Sequence, residues 1–280
     1  MLRLFQNPYC VVLSAGVVIF ILFLIRYFLL HANRRKNDVL IGNAQIVGKR
    51  LEQEDSFSSM VTENGVIALV ADGMGGYENG KLASQIAVDT FISEFQKLED
   101  LSEVNNFFIK TLKLANGKIL DAAKGFRMGT TLVSVVIKDK KLYYLSVGDS
   151  AIILFRNHQL INLNKKHVFQ TVLEEKYVSG EISEGQMRNN PMKKRITSYV
   201  GAEVLKYVDI SEKPIQLRKG DRVILCTDGV TNSLSELELE SVMLKKINPF
   251  EMSEMIMAMI KEKNKARQDN ATVIILEMTD

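Results

Sequence analysis

The acidic residues of this chain fall at the ends of its most apolar segments. Asp72 closes the run VIALVA and precedes Gly73. Asp149 follows LYYLSVG, Asp228 follows VILCT and precedes Gly229, and Asp269 stands with Asn270 just before ATVIIL. Glu54 and Asp55 lie where the first strand region resumes. One Asp-Gly pair alone reads as a turn. Four carboxylates at the ends of very apolar strands say more, because a sheet lays strand ends side by side. Converging carboxylates cannot all stay ionised without counter-charge. A divalent cation supplies it, and ligands that are all oxygen select hard ions such as Mg²⁺ or Mn²⁺. The flanking glycines let backbone carbonyls approach the ion. Arg50, four residues before Glu54, adds a guanidinium fork suited to a phosphate.

These residues need a sheet framework, and the rest of the chain supplies one. Strands are expected at residues 41–48, 65–71, 131–137, 142–147, 151–155, 204–210, 222–226 and 272–276, the middle ones in a meander with Asp139-Lys140 as a tight turn. Ala83, Ile86, Ala87, Phe91 and Phe95 repeat at helical spacing behind Asn79 as a cap. Val104, Phe108, Leu112, Ala115 and Ile119 form a second apolar stripe, opened by Asp100 and Glu103 in capping-box spacing. Ser235 with Glu238, and Asn248-Pro249 with Glu251, open two more helices. The methionines on the last helix (Met252, Met255, Met259) read as core filler. Residues 165–202 are polar and weakly periodic, as an inserted subdomain would be. The whole reads as α+β, a layered sandwich with helices on the outer faces of mainly antiparallel sheets.

The motifs resemble those of the protein phosphatase 2C family, the metal-dependent serine/threonine protein phosphatases, in their compact bacterial form. In order they are Gly48-x-Arg50-x-x-Gln53-Glu54-Asp55, Ala71-Asp72-Gly73-Met74-Gly75-Gly76, Gly129-Thr130-Thr131, Val147-Gly148-Asp149-Ser150, Thr227-Asp228-Gly229 and Asp269-Asn270-Ala271-Thr272. The resemblance implies a four-layer αββα sandwich. It implies that Asp72 bridges two Mn²⁺ or Mg²⁺ ions, that the Gly73 carbonyl touches one, and that Asp228 and Asp269 hold the other. Glu54 and Asp55 would bind metal or metal-ligated water, Asp149 with Asp228 would hold a third ion, and Arg50 would grip the substrate phosphate. Residues 165–202 would be the flap over the site, with His167 on the substrate side. Three positions depart from the family pattern: Gln53 replaces Asn, Lys81 replaces Glu, and Lys166 stands before His167 where relatives often carry Asp. The implied chemistry is hydrolysis of phosphoserine and phosphothreonine in proteins by a metal-activated water. Arg50 would stabilise the phosphoryl oxygens. No phosphoenzyme is needed, and Cys226 has no phosphate-binding loop around it.

Residues 8–30 are nearly all apolar and are expected to span a lipid bilayer, with Arg26 snorkelling and Tyr27 at the interface. A cleaved signal peptide would need small residues after the apolar core, where RYFLLHANRRK stands instead. Arg26, Arg34, Arg35 and Lys36 outnumber the charges before the run, which places the remainder in the cytoplasm. The expected organisation is thus residues 1–38 as anchor and linker and 39–280 as the catalytic domain, a single-pass membrane protein. Its partners would be phosphorylated proteins, including a membrane serine/threonine kinase and that kinase's substrates.

Other classes are disfavoured. A formal charge of +3 with scattered Lys and Arg argues against nucleic acid. Two cysteines, Cys10 and Cys226, make no disulfide framework. His31, His158 and His167 are too dispersed for a zinc site. The rival readings are a noncatalytic phosphoprotein-binding or sensing module, which would lack metal carboxylates, and a phosphatase of small-molecule or lipid phosphates.

Overall fold

The structure is a computed structural model that describes residues 16, 18–24, 26, 38–76, 78–98 and 103–279. By its contacts the chain separates into two units, Met1–Asp38 and Val39–Asp280. In the first unit residues 18–24 are helical, and all their side chains are exposed. The apolar stretch 8–30 lies in large part outside the described residues. Among the described residues no helix is long and apolar enough to cross a membrane.

The second unit contains two antiparallel sheets. The strands are β1 (Val39–Ile46), β2 (Asp55–Thr62), β3 (Gly65–Met74), β4 (Gly129–Thr130), β5 (Leu132–Lys138), β6 (Lys141–Val147), β7 (Ala151–Arg156), β8 (Gln159–Asn162), β9 (Asp209–Ile210), β10 (Ile215–Gln216), β11 (Arg222–Cys226) and β12 (Ala271–Met278). One sheet runs β1-β12-β11-β7-β8. The other runs β10-β6-β5-β3-β2, with β4 on β3 and β9 on β6. The helices are α1 (Glu78–Gln96), α2 (Val104–Ala123), α3 (Phe169–Val178), α4 (Glu184–Arg188), α5 (Asp228–Thr231), α6 (Glu236–Met243) and α7 (Pro249–Glu262).

Alternation along the strands builds the layers. Val66, Ala68 and Val70 of β3 share the central core with Val223 and Leu225 of β11 and Ile274 of β12. Their neighbours Ile67, Leu69 and Ala71 turn the other way, onto Phe91 and Phe95 of α1 and Phe108 of α2. On the opposite flank Ile224 and Cys226 pack with Leu239 and Val242 of α6 and Ile256 of α7. A strand covered on both faces must be apolar throughout, which is why these segments read as unbroken hydrophobic runs. Removing a side chain that covers them costs stability: Phe108→Ala on α2 would cost about 3–5 kcal/mol.

Local chemistry fixes the ends of the elements. Ser235 Oγ accepts from the Glu238 N–H at 3.3 Å while Glu238 Oε2 accepts from the Ser235 N–H at 2.8 Å. Asn248 and Glu251 repeat the arrangement at α7, with Pro249 at the first helical position. Asp139 and Lys140 both take positive φ, 50° and 58°, and turn β5 into β6.

Some expectations need correction. Asn79 lies inside α1, which begins at Glu78, so it is no cap. Glu103 is the N-cap of α2 and makes no side-chain cap hydrogen bond; Asp100 lies outside the described residues. The strand expected at 204–210 shrinks to Asp209–Ile210. There Ser198 Oγ donates to the Tyr207 carbonyl at 2.7 Å and accepts from its N–H at 3.1 Å, so a side chain satisfies the backbone in place of a neighbouring strand. The strand β2 was absent from the expected set. It is a half-buried edge strand of sequence DSFSSMVT and lacks an apolar face to reveal it.

Candidate active site

Antiparallel register brings the first two carboxylates together. Asp55 opens β2 and pairs directly with Asp72 on β3. Like charges facing each other across strands destabilise a sheet, so this pair marks a place where counter-charge belongs. The other sheet contributes from the same kind of position. Cys226 of β11 pairs with Ala151 of β7 and with Val273 of β12. Asp228 leaves β11 two residues later, while Asp149 and Asp269 each lie two residues before their strands. The loop after β1 carries Arg50 and Glu54 back toward β2.

Electrostatics shows that these groups belong to one set. Burial, then the charges of Asp55, Asp228, Asp149 and Asp269, push the Asp72 carboxyl well above the ordinary range. Burial pushes Asp55 up to about 7; hydroxyl donors pull it down, and Asp228 and Asp269 add to the rise. Asp149 is pushed up to about 6, chiefly by burial and then by Asp228, against the pull of Lys166. Asp228 rises through burial and Asp269, with Lys166 and Lys194 acting in the opposite sense. Burial likewise raises Glu54.

Protein donors hold the carboxylates in this structure. Asp55 Oδ2 accepts from Thr272 Oγ1 at 2.7 Å and from Thr227 Oγ1 at 3.0 Å. Asp269 Oδ2 meets Arg50 at 2.7 Å, and Asp228 Oδ2 accepts from Asn232 at 2.9 Å. Accordingly, among the described residues no three His, Cys, Asp or Glu side chains form a ready-made cage for an ion. Two carboxylate oxygens nevertheless remain buried without a hydrogen-bond partner, Asp55 Oδ1 and Glu54 Oε1. An orphaned buried carboxylate oxygen is costly, and a hard cation satisfies it. The all-oxygen donor set fits the same ion.

Four buried hydroxyls and one amide, to which the sequence reading gave no role, position the set. Thr131 Oγ1 accepts from the Asp72 N–H at 3.0 Å and bonds Ser150 Oγ at 2.8 Å, linking β3 to the Asp149 turn. Thr227, just after β11, and Thr272 of β12 tie the other sheet to Asp55. Asn270, almost fully buried, accepts from the Glu54 N–H at 2.9 Å and donates to the carbonyls of Val47 and Glu52 at 2.8 and 3.0 Å. It thereby sets the loop that carries Arg50 and Glu54. Each lies within one of the motifs, and Ser150, Thr227 and Asn270 stand directly beside an aspartate; that placement is the signal that could have found them. Gly73 has no room for a side chain: a Cβ there would stand 2.1 Å from the Gly80 carbonyl oxygen.

Arg50 is half-exposed at the rim. His167 is buried at the base of residues 165–202. Its Nδ1 accepts from the Gly148 N–H at 3.1 Å, and its own N–H donates to the Gly148 carbonyl at 2.7 Å. Burial lowers its pKa. The structure therefore places the ring against the turn that carries Asp149.

A family model described as protein phosphatase 2C matches residues 42–267. The chain is 31% identical over 222 residues to the serine/threonine phosphatase stp of Listeria monocytogenes, covering 77% of this chain and 85% of that one. Its structure is similar to that of the Streptococcus agalactiae serine/threonine phosphatase, with a TM-score of 0.76 at 24% identity, covering 86% of this chain and 99% of the other. It is also similar to the catalytic domain of the serine/threonine protein phosphatase PstP in complex with two manganese ions, with a TM-score of 0.69 at 22% identity over 86% and 99% of the two chains.

Proposed function

The chain belongs to the protein phosphatase 2C family, and from that premise we propose that it hydrolyses phosphoserine and phosphothreonine in proteins, using Mn²⁺ or Mg²⁺ held by its acidic set. The observation that carries this reading is the direct Asp55–Asp72 pair with its unpartnered buried oxygen. The relative named above is a serine/threonine phosphatase, and the similar PstP structure holds two manganese ions.

Asp55, Asp72, Asp228 and Asp269 would hold the ions, with the Gly73 carbonyl and Glu54 beside them. Bound there, the ions would supply a water acidic enough to be hydroxide near neutral pH. Arg50 binds the phosphate of the substrate and neutralises charge on its oxygens, exchanging Asp269 for the phosphate as it does so. Thr227 and Thr272 fix the direction of the Asp55 carboxylate. Asn270 fixes the distance between the Arg50 loop and β12. The flap fastening at His167 supports a role in orienting the Asp149 turn. In the full chain, turnover of a phosphothreonine peptide is expected with added Mn²⁺ and not after complete chelation. Asp228→Ala is expected to abolish it while preserving the fold. Robust turnover in chelator would sink the proposal.

Membrane attachment through residues 8–30 is part of the same reading. Exposed Val18, Ile19, Phe20, Leu22 and Phe23 on one helical segment support it, since a helix apolar on all sides is at home in lipid. The basic residues after the segment favour a cytoplasmic catalytic unit, where membrane-bound kinases and their targets would be concentrated substrates. Sedimentation with membranes that survives high salt but is lost on deleting residues 1–38 is the expected result. Unchanged partitioning would remove the anchor.

A further inference from the structure

We propose that a basic hollow beside the Arg50 loop receives acidic side chains flanking the phosphorylated residue of the protein substrate, so that phosphoserine and phosphothreonine in acidic surroundings are favoured. The inference rests on the function proposed above.

The hollow has a volume of about 470 Å³ and lies where the loop after β1 meets the end of α7. Lys49, Lys261 and Lys265 line it together with the amides of Gln45, Asn264 and Gln268, and among the described residues no carboxylate does. Cavities of roughly 300–1,000 Å³ are the usual size for binding a ligand. Among the described residues neither Lys49 nor Lys261 has a side-chain hydrogen bond or ion pair. Lys265 Nζ donates to the Asn232 carbonyl at 2.7 Å, a neutral partner that holds the ammonium at the end of α5 without cancelling its charge. Lys263, by contrast, is paired with Glu238 at 2.6 Å and does not line the hollow. Like charges around one hollow repel one another, and a carboxylate entering it relieves them.

Lys49 joins the hollow to the phosphate site. It also lines a second cavity, of about 410 Å³, whose other walls are Arg50, Leu51, Glu52, Glu54 and Gly76. A segment that presents its phosphate to Arg50 therefore passes Lys49 on its way to Lys261. The backbone here is fixed at successive points. Asn270 donates to the Val47 carbonyl at 2.8 Å, the Lys49 N–H donates to the Gln268 carbonyl at 2.8 Å, and Arg50 meets Asp269 at 2.7 Å. Gly48 takes a φ of 69°, and a Cβ there would stand 2.3 Å from the Asp269 carbonyl oxygen, so the loop lies close against residues 268–270. Charge is sorted along the path. Glu52 and Glu54 line the cavity on the Arg50 side and repel substrate carboxylates there, while the charges lining the hollow are lysines. Leu51, 98% exposed between the two, offers the intervening substrate residue an apolar contact.

The test is steady-state kinetics of the full chain with Mn²⁺. The substrates are phosphothreonine peptides of equal length carrying Glu, Gln or Lys pairs on the N-terminal or C-terminal side of the phosphorylated residue, and p-nitrophenyl phosphate, which fills the phosphate site alone. In the wild type the Glu peptide on at least one side is expected to show a KM about three- to tenfold below that of its Gln counterpart, an advantage that shrinks as salt rises. The ratio of the two KM values is internal to each protein. Lys49→Gln and Lys261→Gln are each expected to reduce it by about two- to fivefold, the scale of one exposed ion pair. Lys261→Arg should keep the preference, as should the control Lys213→Gln, which does not line the hollow; melting curves verify folding. Equal KM values for Glu and Gln peptides on both sides in an active wild type would overturn the inference and leave the proposed function standing. So would a Glu preference that persists undiminished in a folded Lys49→Gln/Lys261→Gln double variant. Absence of turnover of every substrate, p-nitrophenyl phosphate included, would overturn both.

Discussion

Asp55→Asn should stabilise the metal-free protein while destroying its activity. Asp55 faces Asp72 across the sheet, and burial with the neighbouring charges lifts its carboxyl from 3.8 to about 7. That difference is about three pH units, or ~4 kcal/mol at 1.36 kcal/mol each, as the upper limit of what ionised Asp55 costs the fold. The charge is shared within a set that relaxes when one member is neutralised, so about half of this, ~2 kcal/mol, is the expected gain. For a domain of this size it corresponds to a melting temperature higher by about 4–8 °C. The substitution keeps the contacts that matter: the asparagine carbonyl can accept from Thr227 and Thr272 as Oδ2 does now. Its NH₂ would occupy the place of Oδ1, which has no partner, and face Asp72 as a donor. The assay is thermal melting in chelator at pH 8, repeated with Mn²⁺, alongside phosphopeptide hydrolysis. The variant should melt higher than the wild type in chelator, gain less from Mn²⁺, and lose at least about 100-fold in turnover, as loss of a transition-state contact of ~3 kcal/mol implies. A variant that melts lower in chelator, or that retains near-normal turnover, would refute the reasoning.

Three further outcomes are expected. In chelator the wild type should lose stability as pH rises from about 4 to about 7: Asp55 and Asp149 hold their protons more tightly folded than unfolded, so their contribution is complete below 3.8 and disappears as pH passes about 6 and about 7. A melting temperature that rises across that window would contradict the assignment. Asn270→Ala removes the bonds that hold the Glu54 N–H and the Val47 and Glu52 carbonyls; a loss of about 2–4 kcal/mol in urea unfolding and a raised KM are expected, and an unchanged KM would show that the loop is set by other contacts. Gly229→Ala would place a Cβ 1.8 Å from the Asn270 carbonyl oxygen, and a loss of about 3 kcal/mol or more should appear in the same assay; a mild effect would mean that α5 can shift.

The sequence revealed parts of this molecule unequally, for physical reasons. Strands such as β3 and β11 are covered on both sides, so burial alone dictates their composition. Ser235 and Asn248 announce their helices because a cap needs a particular side chain at a particular spacing. The edge strand β2 obeys neither constraint. In the site, the carboxylates stood out because charge at the end of an apolar run is unusual. Their register did not: that Asp55 lies opposite Asp72 follows from the hairpin at residues 63–64, and no residue type encodes it. The clamps made by Thr227, Thr272 and Asn270 were equally silent, since hydroxyls and amides are ordinary in turns. Lys166 was visible as a departure, but its contact with Thr231 requires coordinates.

The acidic residues come from both leaves of the sandwich: Asp55 and Asp72 from one, Asp228 and Asp269 from the other, and Asp149 from the turn that joins β6 of the first to β7 of the second. Whatever cation joins them acts as a buckle between the leaves as well as a reagent. Starving the protein of metal should therefore loosen this seam first, leaving the helix-covered flanks intact. Faster amide exchange at Asp55, Thr227 and Thr272 than at Phe91 or Ile256 would be its signature, and uniform exchange would show that the leaves do not depend on the buckle.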